Sequence, residues 1–163
     1  MQPPANPALA AAVKLLAEKR YTKVGLAEKL RSRGYAPDSV QAAIGECERR
    51  RFLDDRTFAQ LYVKSQLDRK SVGRLRLQEA LLRQGVSEEI ASEVLSHSDS
   101  DEDTRIDLAL DKLLVMRPHE GYAKIAGRLE RLGFGAPGIA RALRRRASAS
   151  DRFPDGIDFE EIG

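Results

Sequence analysis

The hydrophobic positions of this chain follow one helical period, and the same arrangement of short helices is spelled three times. Leu9, Val13 and Leu16 share a face over about 9–20, Leu26 and Leu30 mark a second helix, and Val40, Ile44 and Cys47 a third. Thr22 reads as the N-cap of the second helix, Gly34 as the left-handed residue that ends it with Tyr35 behind, and Pro37 as the first turn of the third. In the next stretch Phe58, Leu61 and Tyr62 make one helix, Leu77 and Leu81 precede Gly85-Val86, and Ile90 and Val94 follow; Ser71 and Ser87 read as caps. Last come Ile106, Leu110 and Leu113, stopped by Pro118, then Ile125 and Leu129 before Gly133-Phe134, then Ile139 and Leu143.

Glycines 34, 85 and 133 therefore punctuate the chain at separations of 51 and 48 residues. No alternating run of β-branched residues marks a strand. The expected fold is all-α: an elongated array of three tandem three-helix repeats, about nine helices, over 9–53, 54–96 and 104–146. A disordered lead-in at 1–8, an acidic linker at 97–103 and an acidic disordered tail at 147–163 complete the division. Each repeat has few large apolar side chains, so the repeats are expected to lean on one another.

The join between the first two repeats is the densest stretch. Arg49, Arg50 and Arg51 lead into Phe52, Leu53, Asp54 and Asp55. Asp54 reads as the N-cap of the next helix, and Asp55 as complementing its positive end. Leu53 and Phe58 have the spacing of a hydrophobic staple, and Phe58, Leu61 and Tyr62 continue one apolar stripe.

The distribution of charge says more about a partner than composition does. The 163 residues carry a net charge of +3, but Asp99, Asp101, Glu102 and Asp103 hold four negative charges, and 147–163 hold five acids against Arg152. Setting aside those eight net negative charges leaves +11 on the remainder, a body suited to a polyanionic partner. Cys47 is the only cysteine, there is no apolar run long enough to span a bilayer, and the start lacks a signal-type pattern. A cytoplasmic monomer without membrane contact is the expectation.

No residue set points to catalysis, metal or cofactor. Gly133-Phe134-Gly135-Ala136-Pro137-Gly138 is a literal G-x-G-x-x-G, but an amphipathic helix, not a strand, precedes it. His97 and His119 stand apart from each other and from Cys47, and Ser96-His97-Ser98-Asp99 lies in a polar linker with nothing to orient it. The pair Asp54 and Asp55 reads as capping rather than acid–base chemistry.

The basic residues are the remaining candidates. Lys29, Arg31 and Arg33 decorate the second helix of repeat one, and Arg69, Lys70, Arg74, Arg76 and Arg83 that of repeat two. Lys124, Arg128 and Arg131 do so in repeat three, with Arg141, Arg144, Arg145 and Arg146 as a terminal cluster. Equivalent helices in a repeat would line one side of an array, giving a basic surface whose contacts are to phosphate and carboxylate, since aromatic residues are too few for base stacking.

Arg51-Phe52-Leu53-Asp54-Asp55, then Phe58-Ala59 and Tyr62, followed by Gly73-Arg74, Leu77, Leu81 and Gly85-Val86, resembles the central signature of the RecX family, bacterial regulators of the RecA recombinase. The resemblance covers roughly 9–146. Gly25 before Leu26 and Ala80 before Leu81 depart from it, since the family usually has a glutamate there. It implies a non-enzymatic regulator that lies in the groove of the RecA–DNA filament and inhibits or modulates its ATPase, strand-exchange and co-protease activities, hence DNA recombination and repair and the SOS response. It also implies weak, salt-dependent contact with single- and double-stranded DNA. The residues by themselves leave two other readings open: a direct DNA-binding helical module, and a scaffold solenoid gripping an acidic peptide.

Overall fold

A computed structural model of the chain describes residues 6–98 and 101–149. Residues 1–5 of the lead-in, Asp99 and Ser100 of the acidic stretch, and 150–163 of the tail lie outside the described residues. Among the described residues there are nine helices and no strand. They are α1 Pro7–Glu18, α2 Lys23–Ser32, α3 Pro37–Arg49, α4 Asp55–Arg69, α5 Arg74–Arg83, α6 Glu88–Ser96, α7 Glu102–Met116, α8 Tyr122–Arg131 and α9 Ala136–Ser148. Among the described residues, no helix is long and apolar enough to cross a membrane.

Three boundaries move from the sequence expectation. Pro7 and Ala8, read as lead-in, open α1, because Asn6 Oδ1 accepts from the Ala8 N–H and proline suits a first turn. Glu102 and Asp103, read as linker, are helical, since Asp101 caps α7 through the Asp103 N–H and the Thr104 hydroxyl. Ala147 and Ser148, read as tail, continue α9.

The chain divides into two compact units. One takes the described residues of Met1–Lys64 with Ala80–His97, the other those of Ser65–Glu79 with Ser98–Gly163, so α4 and α5 each run from one unit into the other. In the first, α1, α2 and α3 enclose a core of Leu15, Leu26, Leu30, Val40 and Cys47, with Leu53 from the following turn. In the second, α7, α8 and α9 enclose Ile106, Leu110, Ile125, Leu129, Ile139 and Leu143, closed by Phe134.

Two helices turn a different face inward from the one their large side chains suggest. On α1 the buried positions are Ala8, Ala12 and Leu15, while Val13 is 39% exposed. Alanine permits close approach, and the core that receives it also holds Ala43 from α3. On α4 the buried row is Asp55, Ala59 and Val63; Leu61 is 40% exposed, and Phe58 and Tyr62 stack on the flank with ring centroids 6.2 Å apart. That rotation brings Asp55 to the Lys23 N–H. Phe52, one residue before the buried Leu53, is exposed.

Candidate functional site

The middle helices α2, α5 and α8 end alike. Gly34, Gly85 and Gly133 adopt φ of +88°, +86° and +90°. At each, the glycine N–H and the N–H that follows it return to helix carbonyls: Gly34 to Arg31 and Tyr35 to Leu30, Gly85 to Leu82 and Val86 to Leu81, Gly133 to Glu130 and Phe134 to Leu129. These are Schellman caps, and the left-handed residue is glycine each time because a Cβ is disfavoured there. α3 closes in the same way on Arg51, a non-glycine held at φ +56°.

Two of these turns also receive another helix. In the first unit Thr22, the N-cap of α2, accepts from the Gly25 N–H and donates its hydroxyl to the Gln84 carbonyl at 2.5 Å. A Cβ on Gly85 would stand 2.6 Å from Val24 Cβ. In the second unit the equivalent bonds come from backbone: the Gly73 N–H donates to the Leu132 carbonyl at 2.8 Å and the Leu75 N–H to the Gly133 carbonyl at 3.1 Å. A Cβ on Gly73 would lie 2.1 Å from the Gly133 carbonyl, and one on Gly133 would lie 2.3 Å from Arg76 Cβ. Positive helix starts thus rest on carbonyl-rich helix ends, which satisfies groups that a helix leaves orphaned at both termini.

Each join is closed by a carboxylate supplied from the start of a later helix. Asp55 Oδ1, on the first residue of α4, accepts from the Lys23 N–H at 2.8 Å, and Glu102 Oε1, on the first residue of α7, accepts from the Arg74 N–H at 2.8 Å. Asp55, acidic in the first turn of its own helix, is therefore also a cap for α2, a partner that the local reading does not include. Asp54 does cap α4, accepting from the Arg56 N–H at 2.9 Å and the Thr57 hydroxyl at 2.9 Å. The two neighbours differ electrostatically. Burial pushes the Asp55 carboxyl up, against the opposing pull of the Lys23 N–H, whereas the Thr57 hydroxyl holds Asp54 down. Glu48 at 2.5 Å raises the Lys23 ammonium. Ser71 is not the cap of α5, which starts at Arg74 after Gly73, with its first amide taken by Glu102.

The basic candidates fall into two sets. Lys29, Arg31 and Arg33, at the C-terminal end of α2, are on the outer side and make no ion pair with the described residues. Lys124 and Arg131 on α8 are likewise without a side-chain ion pair among the described residues. Arg69 and Lys70, assigned from sequence to the second helix of repeat two, are instead the end of α4 and the residue after it. Arg74 and Arg76 stand in the join, where Arg76 Nη1 donates to the Arg131 carbonyl at 2.9 Å. Arg83 ends α5.

The second set is engaged within the molecule. Arg128 forms a two-pronged pair with Glu120 at 2.7 and 2.6 Å, which lowers the Glu120 carboxyl. Arg141 Nη2 reaches Asp103 Oδ1 at 3.0 Å, Arg145 Nη2 reaches Asp107 Oδ1 at 2.9 Å, and Arg146 Nη1 reaches Asp111 Oδ1 at 3.1 Å. Arg144 Nε donates to its own helix at Ala140 O. The signal for this row was in the sequence, acids at 103, 107 and 111 facing arginines at 141 and 145, both at one-turn spacing. It was hidden because the partners are nearly forty residues apart. No group of three or more His, Cys, Asp or Glu residues able to hold a metal occurs among the described residues.

Residues 54–95, which span α4 to α6, match the family model for the second three-helix domain of RecX. A regulatory protein RecX of Thermus thermophilus is 36% identical over 127 residues, 78% of this chain and 83% of the relative. The chain belongs to the RecX family. RecX of Halorhodospira halophila is 29% identical over 155 residues, 90% of this chain and 92% of that one. Against a longer RecX of Clostridium perfringens the match is 35% over 106 residues and spans about half of the relative. The crystal structure of RecX from Lactobacillus salivarius superimposes with a TM-score of 0.78 at 21% identity, over 85% of this chain and 93% of that one, a likeness of fold. The RecX relatives carry the description of regulatory proteins, and the signature residues Phe52, Leu53, Asp54, Asp55, Phe58 and Tyr62 lie in or beside the matched segment.

Proposed function

We propose that this chain regulates a RecA-type recombinase by seating its basic helix surfaces on the recombinase–DNA filament. It restrains filament growth and lowers ATPase, strand-exchange and co-protease activity, with no chemistry of its own. It acts as a cytoplasmic monomer, and its three repeats, α1–α3, α4–α6 and α7–α9, each offer one middle helix. Family membership carries the reading, and the cations of α2 supply it with a contact surface: Lys29, Arg31 and Arg33 have no ion pair among the described residues to give up when an anionic partner arrives.

The test is recombinase ATPase on single-stranded DNA titrated with the chain, wild type beside Lys29→Glu/Arg31→Glu/Arg33→Glu. That triple is preferable to Arg74→Glu/Arg76→Glu, because Arg74 and Arg76 also build the join with Glu102 and Arg131. Wild type should lower the ATPase, and the triple variant should need about tenfold more protein for the same effect. Equal inhibition by both would remove α2 from the contact. Tight, sequence-selective binding to bare duplex with no effect on the recombinase would replace the reading with a direct DNA-binding module.

A further inference from the structure

The arginines of α9 are held by a regular row of carboxylates on α7. Asp103, Asp107 and Asp111 sit one helical turn apart and take Arg141, Arg145 and Arg146 in order, with Arg145 Nη1 also 3.9 Å from Asp103. Every side chain in the row is 39–54% exposed. Exposed pairs of this kind are weak because water screens them, so the row adds little to the hold of α7 on α9, which Ile106, Leu110, Ile139 and Leu143 already provide.

Nor does the three-helix arrangement require it. Among the described residues, α1 and α3, the equivalent pair in repeat one, share no ion pair. Between α4 and α6 one is present, Arg56 with Glu93, and its polarity is reversed, the base on the first helix and the acid on the third. The ordered row thus belongs to the third repeat and not to the repeat as such.

We propose that the α7 carboxylates are a built-in competitor that keeps the α9 arginines from nucleic-acid phosphates, so that the third repeat takes up a phosphate backbone by exchanging one set of anions for another. A guanidinium loses no hydrogen bond when phosphate replaces carboxylate, and a flexible phosphate chain can follow a row of cations one turn apart. Phosphate is favoured over an acidic protein surface because a nucleic acid releases condensed counterions on binding, a gain that offsets the carboxylates left behind. The inference shares with the proposed function only the premise that a basic face meets DNA. It is tested without recombinase, so the two can fail separately.

The experiment measures binding of the full chain to fluorescent oligothymidylate by anisotropy across about 50–200 mM salt. Asp103→Asn/Asp107→Asn/Asp111→Asn should bind about tenfold more tightly, with a steeper salt slope, by about 0.7 for each phosphate gained. Adding Arg141→Gln/Arg145→Gln/Arg146→Gln should abolish the gain. Glu28→Gln/Asp68→Asn/Glu130→Gln, which adds the same charge elsewhere, should give a small part of it. Should the triple variant lose its helical signal, Asp107→Asn alone is the variant to use, with a gain of about twofold or more expected. The proposal is overturned by unchanged affinity, by an equal gain in the charge control, or by a gain that persists without the arginines. A gain for polyglutamate without one for oligothymidylate overturns it in favour of an acidic protein partner.

Discussion

At the level of single residues, Asp54 and Asp55 show how adjacent identical side chains acquire different work. Asp54 finds its donors within three residues, so its role is legible in sequence; Asp55 finds its donor at Lys23, 32 positions back, and nothing local announces that. Asp55→Ala leaves the first amide of α2 without its acceptor in a buried place and should cost about 1–2 kcal/mol, read from urea denaturation. Asp55→Asn keeps an acceptor oxygen and avoids burying a charge, so it should be the milder change near neutral pH. Because burial raises the folded-state carboxyl above its unfolded value, the folded state binds the extra proton. The associated stability is present in full below the unfolded carboxyl value, about 4, and is lost as pH rises through the folded one. Wild type should therefore lose stability relative to Asp55→Asn as pH rises through that window, then run parallel to it. Arg51 is a second case. Held at φ +56° where the other Schellman turns use glycine, it should yield up to about 1 kcal/mol of stability on substitution by glycine and none on substitution by alanine.

Among elements, the three glycine turns separate conformational from steric demand. A Cβ on Gly34 would have nothing within 4 Å, whereas at Gly85 and Gly133 a Cβ would meet Val24 or Arg76 closer than any real contact. Gly34→Ala should cost about 1 kcal/mol for the left-handed backbone alone, and Gly85→Ala and Gly133→Ala should cost clearly more, about 2–4 kcal/mol, with urea midpoints ordered accordingly. Equal losses at all three would mean that the joins relax freely. The glycines were legible as helix stops, because a stop depends on local backbone geometry. Their second use as seats for another helix was not, because the incoming turn at Gly85 comes from residues 22–24. The G-x-G-x-x-G is likewise built from glycines with structural tasks. Gly133 ends α8, Gly135 is the N-cap of α9, and a Cβ on Gly138 would stand 2.8 Å from Ile106 Cδ1. Each glycine thus has a packing or backbone task after a helix rather than a phosphate-binding one after a strand.

For the molecule as a whole, period and punctuation gave the helix count and order, because each helix advertises its own apolar face and caps. They did not give the compact division that α4 and α5 cross, since a face pattern says that a surface is covered and not by what. Charge behaves similarly: the total was readable, while the commitment of Arg128, Arg141, Arg145 and Arg146 to internal acids was not. Two kinds of electrostatic effect should therefore separate by salt. Truncation after Ala149 removes five acids and Arg152 and raises the net charge from +3 to +7. A change in overall field acts over distance, so the truncated chain should bind a phosphate polyanion faster and more tightly at low ionic strength, with the advantage largely gone near 0.15 M salt, where screening acts within about 8 Å. On the proposed contact at Lys29, Arg31 and Arg33, charge reversal there removes direct pairs with the polyanion, and its loss of affinity should persist at that salt. If truncation still strengthens binding severalfold at 0.15 M, the acidic end acts by occupying the basic surface itself, and its removal uncovers a contact rather than altering a field.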